Sequence, residues 1–299
     1  MIQGLRFILS SRGISRIAAR LVTVSQRFGF SSRKQIGYIR HYISLVEQHG
    51  GRLTLFIPAC ILERHQQQIG TIGRNACLEW GIHGFVHTDM SRLASPEIIC
   101  HIYKMVSVFD KRGVVFKGFR APYLRASPLL LEELSKSGRF LYDSSASVYR
   151  DDVTRLPETE EHWMQGFYKP GWYSQKPACG TDRKKVPVIP VTLPDDDILV
   201  DRLGKNAREV LDVWMRILER CHANDEVFVL QLHPERIYEL EPALVGLMVR
   251  ANSLEPRVRM TTLSGVTDKK ETGTRGTLCI TGDIDSLNWA DFVLRVMEW

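Results

Sequence analysis

Glu79-Trp80-Gly81-Ile82-His83-Gly84-Phe85-Val86-His87-Thr88-Asp89 reads as a short strand that runs into a loop carrying two imidazoles four residues apart. Neutral imidazole is the commonest nitrogen ligand for a divalent ion at neutral pH. Gly84, between the two, favours a loop over a regular helix. A loop at a strand end can fold back so that both rings face one ion. An isolated His pair is more often structural than metal-binding, so the weight of this reading lies in what surrounds it.

Outward from this stretch, strands alternate with helices. Residues 4–9 suit a short strand and 14–28 a helix. Ile36, Ile39, Ile43 and Val46 recur at helical steps and predict a helix over 32–48, closed by Gly50-Gly51. Residues 53–57 predict a buried strand stopped by Pro58, followed by a helix over roughly 60–73. Beyond the His pair, Ser95-Pro96-Glu97 predicts a helix start, with a cap, a first-turn Pro and an acid at the positive helix end. A strand over 114–119 leads into Arg120-Ala121-Pro122-Tyr123. Ser127-Pro128 opens a helix that closes at Gly138, and a strand over 140–142 leads into Asp143-Ser144-Ser145.

Residues 146–185 lack clear periodicity and carry Trp163, Phe167, Tyr168, Trp172 and Tyr173, which predicts a long covering loop. Its rings serve either a sugar face or the anchoring of the loop. Strands follow at 186–191, 227–232, 258–262 and 278–281, with helices at 206–222 and 239–254. The strand over 227–232 ends in His233-Pro234. Thr281-Gly282-Asp283-Ile284-Asp285 precedes a last helix capped by Ser286, with Leu287, Ala290, Val293, Leu294 and Met297 on one face. This alternation implies a parallel sheet with its crossovers outside, in an α/β barrel. His83, His87, Arg120, Asp143, Asp195, Asp196, His233, Asp283 and Asp285 all follow the C-terminal ends of strands, the rim where barrel enzymes assemble their sites.

Composition narrows the class. The 299 residues are 44% hydrophobic, enough for a sizeable core. No apolar run reaches the roughly eighteen residues of a membrane span, and the Arg-broken N-terminus does not form a secretory apolar region. A cytoplasmic protein is expected. The net charge of +6 gathers early, at Arg6, Arg12, Arg16, Arg20, Arg27, Arg33, Lys34 and Arg40. A solvated face explains it; attraction to substrate phosphate or peripheral contact with a membrane surface is the sharper reading. Nucleic acid is disfavoured because no recognition module is visible. Six scattered cysteines, none in a C-x-x-C, read as reduced core residues.

These segments resemble the polysaccharide deacetylases, the NodB-like carbohydrate esterases, from about Ile43 to Thr262. Gly81 to His87 is similar to the family's metal-binding H-x-x-x-H segment, and Gly118 to Tyr123 to its R-x-P-Y segment. Tyr142-Asp143-Ser144-Ser145 is similar to a substrate-side segment, and Leu232-His233-Pro234 to the segment bearing the catalytic acid. The resemblance implies a distorted barrel of seven or eight strands. One feature is displaced: the first strand, which in the family ends in an Asp pair, has no carboxylate here at residues 5–10. The pair stands instead at Asp283 and Asp285. The strand over 278–281 can close the barrel as if the chain were circularly permuted. The expected layout is an N-terminal helical segment (1–30), the barrel (31–264), a linker (265–276) and a completing strand and helix (277–299). Two plainer readings stand beside it. In one, the acids only serve the last helix's N-terminus; in the other, residues 4–9 close the barrel and the site lacks its base.

The resemblance implies one divalent ion, zinc by preference, on His83, His87 and Asp285. It makes Asp283 the base, held by Arg120, and His233 the acid, oriented by Asp195 or Asp196. The Tyr123 backbone N–H would face the oxyanion, while Asp143 and Trp172 join the substrate side. The implied reaction releases acetate from an N-acetylated sugar, with a nucleotide- or lipid-linked precursor suiting a cytoplasmic location. A hydrolase of non-sugar amides and an inactive barrel that binds glycan or a biosynthetic partner are the alternatives. Oligomeric state is not encoded in any motif.

Overall fold

The computed structural model describes residues 28–72, 75–168, 185–268 and 271–297. Helix α1 (Arg33–Gln48) turns Ile36, Ile39, Tyr42, Ile43 and Val46 inward. Strand β1 (Leu53–Ile57) is buried at every position, as a central strand of a parallel sheet covered on both faces must be. Helices α2 (Ala59–Arg64) and α3 (Gln66–Gly70) follow, then strand β2 (Leu78–Ile82) and helix α4 (Ser95–Arg112). Strand β3 (Phe116–Phe119), helix α5 (Pro128–Ser137) and strand β4 (Tyr142–Asp143) continue the alternation. After strand β5 (Ser147–Tyr149) and helix α6 (Glu158–Tyr168) come strand β6 (Val191–Leu193), helix α7 (Ala207–Asn224) and strand β7 (Val227–Gln231). Helix α8 (Ile237–Ser253), strand β8 (Arg257–Met260), strand β9 (Thr274–Asp283) and helix α9 (Trp289–Met297) complete the described chain.

The sheet runs β4-β3-β2-β1-β9-β7 with every pair parallel, and β8 pairs with the start of β9. It curls into a half-barrel. A second parallel pair, β5–β6, lies between its two edges: Asp143 bridges Val188, and the Val229 N–H donates to Thr192 Oγ1 at 3.2 Å. The expected α/β barrel is therefore present, and the last strand in the chain occupies its middle. β9 pairs with β1 from Leu53↔Ile280 to Phe56↔Asp283 and with β7 from Val227↔Thr277 to Gln231↔Thr281. Both edges of β1 are thus taken, by β2 and β9. The expected strand over 4–9 lies outside the described residues.

Several local expectations are corrected. The single helix over 60–73 is two short ones, broken at His65. The strand over 186–191 forms only from Val191, because Pro187 and Pro190 offer no N–H to a ladder. Within the supposed loop of 146–185 stand β5 and α6. Pro157 followed by Glu158, Glu160 and Glu161 was the readable start signal for α6, obscured by the aromatic residues behind it. The last helix begins at Trp289. Asn288, not Ser286, caps it: its Oδ1 accepts the Asp291 N–H at 2.9 Å, while Ser286 Oγ donates to the Asp285 carbonyl at 2.8 Å.

Candidate metal centre and active site

The loop after β2 is pinned before it presents its histidines. Ala59 and Cys60 donate their N–H groups to the carbonyls of Gly84 and Phe85 at 3.0 and 2.9 Å. Gly84 has φ +81°, and a Cβ there would lie 3.0 Å from the Val86 carbonyl oxygen, so only glycine makes this turn without strain. His83 Nδ1 donates to the Arg120 carbonyl at 2.9 Å. A carbonyl only accepts, so that bond places the proton on Nδ1 and leaves the Nε2 lone pair facing inward.

His83 Nε2 lies 3.6 Å and His87 Nε2 3.2 Å from the same oxygen, Asp285 Oδ1. One ligand atom from each residue falls within 4.8 Å of the others. Asp285 Oδ1 and His87 Nδ1 are buried atoms, and what Asp285 Oδ1 faces is the two imidazole nitrogens. A buried carboxylate oxygen set against imidazole lone pairs is unfavourable unless a proton or a cation lies between them. Burial, then the positive charge of Arg295, pushes His87 down to about 4, against the pull of Asp285, so its imidazole is neutral at pH 7. Burial works against the Asp285 carboxylate, but His87 and Arg295 together hold it well below the usual carboxylate range. Nitrogen lone pairs and one anionic oxygen converging in a dry site suit a divalent metal ion.

Beside this group, Asp283 ends β9 with both oxygens engaged. Arg120 Nη1 donates to Oδ1 at 2.9 Å and Gln231 Nε2 to Oδ2 at 3.0 Å. His83 Nε2 is 3.8 Å from the same Oδ2. Arg120 is itself wholly buried. It reaches Thr281 Oγ1 and Ser144 Oγ, each at 3.0 Å, and lies over the Phe56 ring at 4.3 Å. The two acids are therefore not caps for the last helix. Gln231 was missed in the sequence, and Ser144 was named there only as part of the 142–145 segment. Gln231 was findable, since strand alternation puts residues 231 and 233 on one face.

His233 lies two residues past the end of β7, which pairs with β9 up to Gln231↔Thr281. Between Asp195 and Asp196 the geometry chooses Asp196. Asp196 Oδ1 accepts from His233 Nδ1 at 2.9 Å, and Oδ2 accepts the His233 backbone N–H at 2.9 Å. Asp195 instead accepts the Ile198 N–H and the Tyr168 hydroxyl. Burial, with the charges of Asp197 and Asp196, pushes Asp195 up to about 7. His233 is raised well above the ordinary imidazole value: burial opposes its charge, but Asp196 and Asp197 overcome it. Asp196, Asp197 and His233 also bring three donor atoms within 4.8 Å. Arg236 pairs with both of these acids, which makes that group an ion-pair network.

The remaining expected residues divide. Tyr123 is at the site, in a left-handed conformation (φ 61°), with its ring edge-on to His87 at 4.4 Å between centroids. Asp143 is fully buried and accepts both the N–H and the hydroxyl of Ser145, whose Oγ in turn accepts the Ala121 N–H at 2.7 Å. Through Ser145 it supports the 120–123 loop. Trp172 lies outside the described residues.

No protein-family profile matches the chain, and no curated protein sequence does. Solved structures do. A Mycobacterium smegmatis protein assigned as a polysaccharide deacetylase superposes with TM-score 0.58 at 17% identity, over 83% of this chain and 79% of its own. A Pseudomonas aeruginosa PAO1 protein with the same assignment gives 0.56 at 17% identity, over 78% and 71%. An allantoinase, PuuE, gives 0.58 at 17%, over 84% and 78%. What these share with the chain is the fold, a curled α/β barrel.

Proposed function

We propose that this protein is a metal-dependent hydrolase that releases acetate from the nitrogen of an N-acetylated sugar. The observation that carries the reading is the convergence of the segments at the C-terminal ends of β2 and β9, the two strands that flank β1. They bring His83, His87 and Asp285 to one point, with the Asp283–Arg120 pair beside it. His83, His87 and Asp285 would hold one divalent ion, and two imidazoles with one carboxylate suit zinc. When bound, such an ion polarises the amide carbonyl and acidifies water.

The chain's own groups do the rest. Asp283, fixed by Arg120 and Gln231, takes a proton from the attacking water. The Tyr123 backbone N–H would face the oxyanion. As the C–N bond breaks, His233 gives its proton to the amine, because an amine anion is too poor a leaving group. Acetate and a free amine result. Asp196 keeps the imidazole in the orientation and charge state that this step requires.

Zinc-loaded protein incubated with a panel of N-acetylated sugars, free, nucleotide-linked and lipid-linked, should release acetate from at least one. Stoichiometric zinc binding without acetate from any of them would refute the sugar reading. The fold shared with an allantoinase favours a second reading, hydrolysis of a small non-sugar amide. Ammonia or carboxylate release from ureides and cyclic amides in the same assay separates the two. No described helix is long and apolar enough to cross a membrane. The preference for a phosphate-linked substrate belongs to this proposal and rests on early basic residues that lie mostly outside the described ones.

A further inference from the structure

Helix α9 is fastened to the rim by a buried acid. Asp291, its side chain 2% exposed, accepts from His65 Nε2 at 2.8 Å and from the Leu287 N–H at 3.1 Å, with Arg64 Nη1 at 3.5 Å. This holds α9 against the corner between α2 and α3. Its last turn then faces the loop after β9. From that turn Arg295 Nη1 donates to Asp285 Oδ2 at 2.9 Å, and Nη2 donates to the Tyr123 hydroxyl at 3.1 Å. The Tyr123 ring is the one that stands edge-on to His87.

A carboxylate free to rotate can offer a cation one oxygen or two. Here Oδ2 is occupied by the guanidinium, and only Oδ1 faces the two imidazoles. The planar fork of an Arg fixes such a carboxylate in orientation as well as in charge. The same fork donates to the Tyr123 hydroxyl and so holds that ring beside His87.

We propose that Arg295 is a positioning residue of the metal centre, holding Asp285 as a one-oxygen ligand and Tyr123 against His87. The helix after the acidic motif is then part of the site, not a trailing end. The inference rests on the metal reading given above. Groups behind the ligands commonly matter this much: their loss weakens metal binding about 10- to 100-fold.

The test uses the full-length protein freed of metal by chelation, titrated with Zn2+ by calorimetry and with Co2+ by visible absorption. Arg295→Gln should weaken Zn2+ binding by about 10-fold or more. It should also lower the Co2+ absorption intensity, as a second carboxylate oxygen expands the coordination. Arg295→Lys, which keeps the charge but not the fork, should restore part of the affinity and leave the Co2+ spectrum altered. A purely stabilising ion pair would move the melting temperature and neither metal readout. If Arg295→Gln binds Zn2+ and Co2+ as wild type does while His83→Ala loses both, the positioning role is refuted and the proposed function stands. If wild type binds neither ion, both fall. Should Arg295→Gln not fold, Arg295→Lys decides: an unchanged Co2+ spectrum overturns the proposal.

Discussion

His87 and His233 are the same side chain at one rim, and their surroundings push them in opposite directions. His87 lies buried near Arg295 and His83 and is driven down to about 4. His233 lies against Asp196 and Asp197 and is driven well up. In the proposed reading the first keeps its lone pairs for a cation and the second keeps a proton to give away, the kind of separation by environment that divides roles between titratable groups. Glu235 feels the charges of both His233 and Asp285, which puts the two halves within electrostatic reach of each other.

The sharpest way to break this contrast is to delete one member from each half. His83→Ala should abolish stoichiometric zinc binding and acetate release together, whereas Asp196→Asn should leave zinc binding intact by the same titration. Tight zinc binding in His83→Ala would mean that the low-pKa half is not a metal centre. Next in size, Asp283→Asn should reduce kcat by about 10²- to 10⁴-fold, the usual range for a lost proton-transfer group, with zinc retained. An unaffected kcat would remove the base from the scheme.

The charged half is then sharpened by pH. His233 has a raised value, so it is protonated below that value and activity falls as pH rises through it. Asp196→Asn should move this alkaline limb down toward about 6.5, the ordinary imidazole value. A limb that stays in place would assign it to another group. The smallest effect concerns the metal-free protein. His87 titrates lower when folded, so the unfolded chain binds more protons between about 4 and 6.5. Stability is therefore full above that window and declines as pH falls through it, by roughly 3 kcal/mol at most. His87→Gln should flatten that part of a denaturant-midpoint series; an equally steep decline would trace it to other groups.

Much of this site was legible because strand ends repeat a pattern. His83, Arg120, His233 and Asp283 each stand at or just past the last residue of a strand, which periodicity and flanking Pro or Gly can locate. Gln231 shared that signal through alternation and was passed over. Arg295 gave none: it is an arginine in the last turn of a helix, ten residues from the acid it holds, and is indistinguishable in sequence from a solvated one. The resemblance put Asp143 on the substrate side; what the structure adds is its bond to Ser145, a local contact that spacing alone does not reveal.

The sequence by itself determined the alternation of strands and helices, the polar rim and the residue types able to bind a metal, because these follow from local spacing and side-chain chemistry. Only the tertiary structure decided that β9 lies between β1 and β7, that Asp196 rather than Asp195 holds His233, and that Arg295 reaches Asp285. Pairing between distant strands is set by which edge is left open once the rest of the sheet has formed. The orientation of a carboxylate is set by the cation that packing brings to it. Neither quantity is written in any one stretch of the chain.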